Sequence, residues 1–352
     1  MARPALTITF LVLGLTVFGL LMVGSSSVVD AARDFGDKWY YLKLQSGWAV
    51  MGLAGFFLIS RFDYRKLEKQ AFLLLSCSLA LLVLVLIPGV GTKLLGARRW
   101  LNLGFFSFQP AELAKLTLAI YFSGLLKKTF RFWPFIFILG LAGFLIMLEP
   151  DLGTTLILTG SSLLTYFGSG GKLRYLGLII PVFALLLGGS ILLSPYRLNR
   201  LKTFFDYSRD PLGSSYHIRQ VLLSLGSGGV FGVGLGQSKQ KYEFLPEATT
   251  DSIFAVIGEE LGLIGGLVVI SAFLVFMSQG FSVVRSAPDQ FGANLALAIT
   301  SWISLQALVN LGAMVAIIPL TGVPLPFISY GGSSLVLVLL ASGILVNISR
   351  QS

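Results

Sequence analysis

The stretch KYEFLPEATTDSIFAVIGEELG, residues 241–262, begins as a polar loop and ends as a membrane helix. Pro246 lies in the loop, and the chain turns apolar after Asp251. Asp251, Glu259 and Glu260 therefore stand at or inside the start of a hydrophobic helix. An Asp in that place commonly acts as an N-cap, accepting from the free N–H groups of the first turn. Glu259 and Glu260 do not fit that role. A carboxylate within a membrane span is costly and marks a functional site by default. The stretch points to an α-helical membrane protein with its chemistry near one membrane face.

Composition agrees. Of 352 residues, 55% are hydrophobic and 12% charged, and the mean hydropathy is +0.84. Soluble domains carry about 25% charged residues. The expectation is an all-α, polytopic integral membrane protein made of a single transmembrane domain, residues 1–352. The net charge of +10 reads as basic loops beside anionic membrane lipid, not as a nucleic-acid surface. Cys77 is the sole cysteine, which excludes an internal disulfide or thiolate metal site. His217, the sole histidine, excludes a multi-histidine zinc site. The run 5–29 is longer than a signal-peptide core and reads as a retained signal anchor.

A span needs about 20 apolar residues. Ten stretches qualify, near 5–29, 44–60, 71–92, 109–126, 132–148, 152–169, 175–195, 252–282, 291–318 and 328–348. With both termini inside, the inner segments hold Arg3, Arg61, Arg65, Lys66, Lys69, Lys127, Lys128, Arg131, Lys172, Arg174, Arg285 and Arg350. The short outer loops hold fewer: Arg33, Lys38, Lys43, Lys93, Arg98 and Arg99. A large extracytoplasmic loop, about 196–251, joins spans seven and eight. It adds Arg197, Arg200, Lys202, Arg209, Arg219, Lys239 and Lys241, and an anionic ligand is the obvious reason for them. Within it Ile218, Val221, Leu222 and Leu225 form an amphipathic stripe, suited to a helix on the outer leaflet or packed on other spans.

Other motifs carry chemistry. QPAELAK places Glu112 and Lys115 three apart, on one helix face, where they can pair. GARRWLNLG puts Arg98 and Arg99 at the outer interface, against the positive-inside tendency; arginine favours bidentate phosphate contact. MLEPDLGTT sets Glu149 and Asp151 around Pro150, with Asp151 a cap, a supporting acid or a metal ligand. The glycine-rich run 226–240 matches neither nucleotide-loop spacing. His217 reads as a hydrogen-bonded histidine and not a base. The last outer loop, 319–334, has three prolines and must be buried in protein or line a wet cavity.

Taken together, GARRWLNLG, QPAELAK, EPDLGTT, SYHIRQVLLSLGSGG, GLGQSKQKYEFLPEATTDSIFAVIGEELGLIGG and PLTGVPLPFISYGGSS resemble the SEDS family (shape, elongation, division and sporulation proteins) over most of the chain. GLGQSKQKYEFLPE and GILVNISRQS are more like its division branch, with the elongation branch second. Ala111 and Ser252 depart from the usual Ser and aromatic residue. The resemblance implies a glycosyltransferase that polymerises lipid II on the outer face of the bacterial cytoplasmic membrane. It implies a class B penicillin-binding protein (a transpeptidase) and other division or elongation membrane proteins as partners. Asp251 maps onto the family's essential loop aspartate, Glu112 and Lys115 onto its paired residues, and Asp151 onto its EPDLG acid.

The expected mechanism makes Asp251 the general base. Arg98, Arg99 and Lys239 bind the pyrophosphate. Glu112, Lys115, Asp151, Glu259 and Glu260 form a supporting polar cavity. A divalent cation, Mg2+ or Mn2+, would use Asp251 or Asp151. The rival class is a lipid II flippase, for which Glu112, Lys115, Glu259 and Glu260 would line a polar path. A scaffold without chemistry leaves those charges unexplained.

Overall fold

A computed structural model describes residues 3–94, 97–102, 104, 107–127, 131–206, 213, 215–242 and 244–352. Lys128 and Arg209, and Gly96 and Leu103 of GARRWLNLG, lie outside the described residues. The helices are α1 (Arg3–Ser26), α2 (Val28–Phe35), α3 (Tyr40–Ile59), α4 (Arg65–Leu86), α5 (Pro110–Leu125), α6 (Phe132–Leu148) and α7 (Leu152–Gly168). They continue as α8 (Leu176–Leu192), α9 (Pro195–Phe205), α10 (Tyr216–Ser227), α11 (Ile253–Ser286), α12 (Gln290–Met314) and α13 (Gly332–Gln351). Between α4 and α5 lies a small antiparallel sheet of β1 (Gly91–Leu94), β2 (Ala97–Asn102) and β3 (Ser107–Phe108), in that order.

Among the described residues seven helices are long and apolar enough to cross a membrane: α1, α3, α4, α8 with its preceding turn, α11, α12 and α13. The chain is a multi-pass membrane protein. α5, α6 and α7 occupy the other three expected stretches but run only 16, 17 and 17 residues. At 1.5 Å per residue that is about 25 Å, short of the ~30 Å hydrocarbon core. The helical pattern is the one lipid demands, since every backbone N–H must find a partner within its own segment.

α12 and α13 form the centre. Trp302 is almost fully buried, and α13 buries Leu335, Val338, Leu339, Ile344 and Leu345 against α1, α3 and α12. α8 lies at the rim, with Leu185, Leu186 and Leu192 exposed.

The bundle has two poles. At one, Tyr64 Oη donates to Asp289 Oδ2 at 2.6 Å and Arg65 Nε to the same oxygen at 2.9 Å. Asn347 accepts from Tyr64 N at 3.1 Å and donates to Ser60 O at 3.0 Å. The start of α1 and the end of α13 lie at this basic pole. The opposite pole gathers the starts of α5, α7, α11 and α13.

The longest helix, α11, is not continuous. Gly262 has φ 68° and ψ −166°, so the helix breaks there. The glycine-rich run crosses the gap. Leu263 N donates to Gly229 O at 2.9 Å and Ile264 N to Val230 O at 3.2 Å. From the other side, Val233 N donates to Glu259 O at 2.9 Å and Gly234 N to Glu260 O at 3.0 Å. A Cβ on Gly262 would lie 2.4 Å from Gly232 N, so only glycine fits. α10 packs on α11, with Ile218 and Val221 buried, so its stripe covers protein and not the leaflet.

Candidate active site

Asp251 ends the loop before α11 and is half-buried. It is not the cap of that helix: Ser252 holds the cap position. Ser252 gives its Oγ to His217 Nε2 at 2.8 Å instead of to the helix. The backbone around Asp251 is clamped to the last loop. Tyr330 N donates to Thr249 O at 2.9 Å, Ser329 Oγ to Thr250 O at 2.6 Å and Asn310 Nδ2 to Asp251 O at 2.9 Å. Gly322 faces the carboxylate: a Cβ there would lie 3.4 Å from Asp251 Oδ2. With φ +71°, Gly322 also occupies the left-handed region that other residues resist.

The Asp251 carboxylate accepts no hydrogen bond from the described residues. Burial, and then the charge of Glu247, push it up to about 7; Arg200 and Arg99 pull the other way. A base that titrates near the working pH is the best compromise between being ionised and being basic.

A buried polar chain underlies this position. Lys115 Nζ lies 2.7 Å from Glu112 Oε1, with both side chains almost fully buried. Lys115 also donates to Gln306 Oε1 at 2.8 Å and sits over the Trp302 ring. Gln306 Nε2 donates to Pro324 O at 3.0 Å, and Asn310 Nδ2 donates to Val323 O at 2.8 Å. The Glu112–Lys115 pair therefore reaches Asp251 through Gln306, Asn310 and the last loop, not by direct contact. Gln306 and Asn310 escaped the sequence reading. Their signal was two amides, four apart, in an otherwise apolar span.

Asp151 caps α7. It accepts from Thr154 N at 3.0 Å, Thr154 Oγ1 at 2.9 Å and Gln109 Nε2 at 3.3 Å. Those bonds leave little for a metal, and the described residues contain no group of three or more His, Cys, Asp or Glu side chains that could hold one. The residues present do not fit a protein-only Mg2+ or Mn2+ site. Glu149 is fully buried with neither oxygen partnered. Burial, then Asp151, push its carboxyl up to about 8, against the pull of Arg99.

Three expectations need correction. Arg98 and Arg99 are neighbours on β2 with different surroundings: the β1–β2 register shifts between Arg98 and Trp100, with Lys93 opposite Arg98 and Thr92 opposite Trp100, so Arg99 is the extra residue of an irregular pairing. Arg99 Nε donates to Glu149 O at 2.8 Å and Nη2 to Pro150 O at 2.7 Å, which places it beside Asp151. Arg98 makes no ion pair among the described residues. Glu259 and Glu260, second, are not cavity acids. Glu259 accepts from Ser238 Oγ and from Lys239 N at 2.9 Å. Glu260 pairs with Lys241 Nζ at 3.0 Å and accepts from Ser25 Oγ at 2.8 Å. Both anchor the glycine-rich run. Lys239, third, is held by its backbone while its side chain is exposed, with no partner among the described residues.

The family model described as "Cell cycle protein", covering FtsW, RodA and SpoVE, matches residues 5–352. The chain belongs to this family. It is 40% identical over 361 residues to Stage V sporulation protein E of Bacillus subtilis (strain 168), covering 99% of this chain and 98% of that one. It is 40% identical over 360 residues to a protein named probable peptidoglycan glycosyltransferase FtsW of Trichlorobacter lovleyi, covering 99% and 94%. Among solved structures, the Rod shape determining protein RodA of Thermus thermophilus matches with TM-score 0.72 and 28% identity, over 98% of this chain and 96% of that one. A chain from a study titled "Structural coordination of polymerization and crosslinking by a peptidoglycan synthase complex" matches with TM-score 0.80 and 29% identity, over 98% and 97%.

Proposed function

We propose that this FtsW-like protein is a peptidoglycan glycosyltransferase that polymerises lipid II on the outer face of the bacterial cytoplasmic membrane. The pole bearing Asp251 faces outward, and both termini are cytoplasmic. One observation supports the reading: a carboxylate without a hydrogen-bond partner among the described residues, raised to about 7, at the pole where the loops before α11 and α13 meet.

The reaction balances with the residues present. Asp251 takes the proton of an acceptor sugar hydroxyl. The oxygen attacks the donor's anomeric carbon, and the bond to the lipid pyrophosphate breaks with its electron pair leaving on the pyrophosphate. Attack opposite the leaving group inverts the centre. Proton removal is worth typically 10²–10⁴-fold, and fixed positive charge near the leaving group adds to it. Asn310 and Ser329 hold the peptide of Asp251, so the carboxylate needs little reorganisation. A class B penicillin-binding protein, the partner that would crosslink the new strand, fits the synthase-complex likeness.

The flippase reading relied on four buried charges. Each is engaged by protein: Glu112 by Lys115, Lys115 by Gln306, Glu259 by Ser238 and Glu260 by Lys241. None is left to line a transport path. The test is a product gel from purified lipid II in proteoliposomes, with and without the transpeptidase. Wild type should give polymer and Asp251→Asn none; normal polymer from Asp251→Asn refutes the assignment.

A further inference from the structure

Away from Asp251, α1 and α11 part to leave a groove of about 710 Å³ on the outside of the bundle. Phe10, Gly14 and Phe18 belong to one wall, and Leu261, Ile264 and Val268 to the other. Thr7 supplies the one hydroxyl of an otherwise apolar lining. Phe10 and Val268 are well exposed, at 66% and 63%, so the groove opens sideways between two membrane helices.

The groove sits at the break in α11. Leu261 ends the short stub, while Ile264 and Val268 belong to the long half, so both sides of the joint line one space. A Cβ on Gly14 would meet nothing within 4 Å, which leaves room where a larger side chain would fill the gap. The glycine-rich run roofs the end nearest Asp251. Lys241 Nζ donates to Gly236 O at 2.7 Å and to Ser25 Oγ at 3.2 Å, which ties the run to the end of α1. Ile264 N, bonded to Val230 O at 3.2 Å, ties it to α11. Three residues beyond Gly236, the side chain of Lys239 is exposed and has no partner among the described residues.

Dimensions choose the occupant. From Leu6 to Phe18 the α1 wall rises about 18 Å, a little more than the ~15 Å of hydrocarbon in one leaflet. Over that length the volume gives a cross-section of about 40 Å², half or less of the ~80–110 Å² that a helix with its side chains fills. A methylene takes much the same room as a liquid water, ~30 Å³, so the space holds roughly 24 of them: one acyl chain of about 16–18 carbons and part of a second, but under half of a polyprenyl tail of about 55. Lipid competes with lipid here, so apolar burial alone gives no preference. Retention comes from filling a concave void and from charge at its mouth.

We propose that the α1–α11 groove is a phospholipid site: an acyl chain of an anionic glycerophospholipid enters from the leaflet on the Asp251 side, and Lys239 pairs with the phosphate. The inference goes beyond the polymerase reading and does not rest on it. The chain packs on both halves of α11, so the lipid becomes part of the joint between the membrane-spanning half and the stub that leads to Asp251.

The test is native mass spectrometry of the full-length protein, stripped in detergent and titrated with phosphatidylglycerol or phosphatidylcholine. Wild type should hold one phosphatidylglycerol about fivefold more tightly than one phosphatidylcholine, the ratio that a single lysine near a lipid charge gives. Lys239→Gln should bring the two lipids to equal affinity, with phosphatidylcholine unchanged. Gly14→Phe, which plugs the groove, should weaken both at least about tenfold through lost packing. Undecaprenol at equal concentration should leave phosphatidylglycerol in place, and Gly14→Phe should keep a coexpressed transpeptidase through purification as well as wild type does. Four results overturn the proposal: wild-type lipid affinity in Gly14→Phe, a preference that survives Lys239→Gln, displacement by undecaprenol (a polyprenyl-tail site), or loss of the transpeptidase from Gly14→Phe (a docking site for another helix). Should Gly14→Phe not fold, Val268→Trp at an exposed position plugs the same groove and carries the same expectations. None of these readouts measures polymer, so failure of the Asp251 assignment and failure of this inference are separate results.

Discussion

The raised titration of Asp251 makes a rate prediction that an ordinary aspartate would not. With its value near 7, about one molecule in eleven carries the ionised base at pH 6, about half at pH 7 and about ten in eleven at pH 8. Polymerisation limited by proton removal should therefore rise roughly tenfold from pH 6 to pH 8. An Asp at its usual 3.8 would be ionised throughout and give a flat profile. The assay is the initial rate of glycan formation from purified lipid II in proteoliposomes, at fixed ionic strength. A return to pH 8 checks that the loss is reversible. Because Arg200 opposes the shift, Arg200→Gln should move the rising limb to higher pH. A flat profile between pH 6 and 8, in protein whose Asp251→Asn variant is dead, would refute the claim that Asp251 works as a base poised by burial.

The same shift predicts a stability change of defined sign. Since the folded value lies above the unfolded one, the native state binds more protons between about pH 4 and 7. Wild type should lose stability as pH rises through that window, and Asp251→Asn should melt higher than wild type at pH 8; equal melting curves contradict this. Lys241→Met alone should cost about 3–5 kcal/mol by stranding Glu260, whereas Lys241→Met with Glu260→Met should recover most of it, as read by thermal unfolding. Asn310→Ala removes two hydrogen bonds, to Asp251 O and Val323 O. It should cost about 2 kcal/mol and lower kcat more than it raises KM; an unchanged kcat would break the link from α12 to the site. Gly322→Ala forces a side chain into the left-handed region 3.4 Å from Asp251 Oδ2. It should lower activity at least about tenfold, and full activity would show that this approach is immaterial.

Much of this was legible in the chain. Hydropathy located the helices because lipid leaves the backbone no alternative. Asp251 stood out as an acid ahead of an apolar run, and Asp151 as a cap by the same rule. Glu259 and Glu260 misled, since an intramembrane acid looks the same whether it faces a cavity or anchors a loop. Their partners, Ser25, Ser238 and Lys241, lie on other segments, and only folding brings Ser25 and Lys241 together. The small sheet that gives Arg98 and Arg99 different surroundings was hidden too, because a short sheet in a loop has no hydropathy signal.

The gap at Gly262 has a mechanical consequence. The glycine-rich run is bonded to both halves of α11, so the joint is splinted, not hinged. Phe231 and Leu235 on that run are exposed, at 81% and 63%. A neighbour that pressed on them would transmit the load through the Glu259 and Glu260 carbonyls to a rigid stub of about two helical turns whose far end is Asp251. The loop is thus a lever arm with its short end at Asp251.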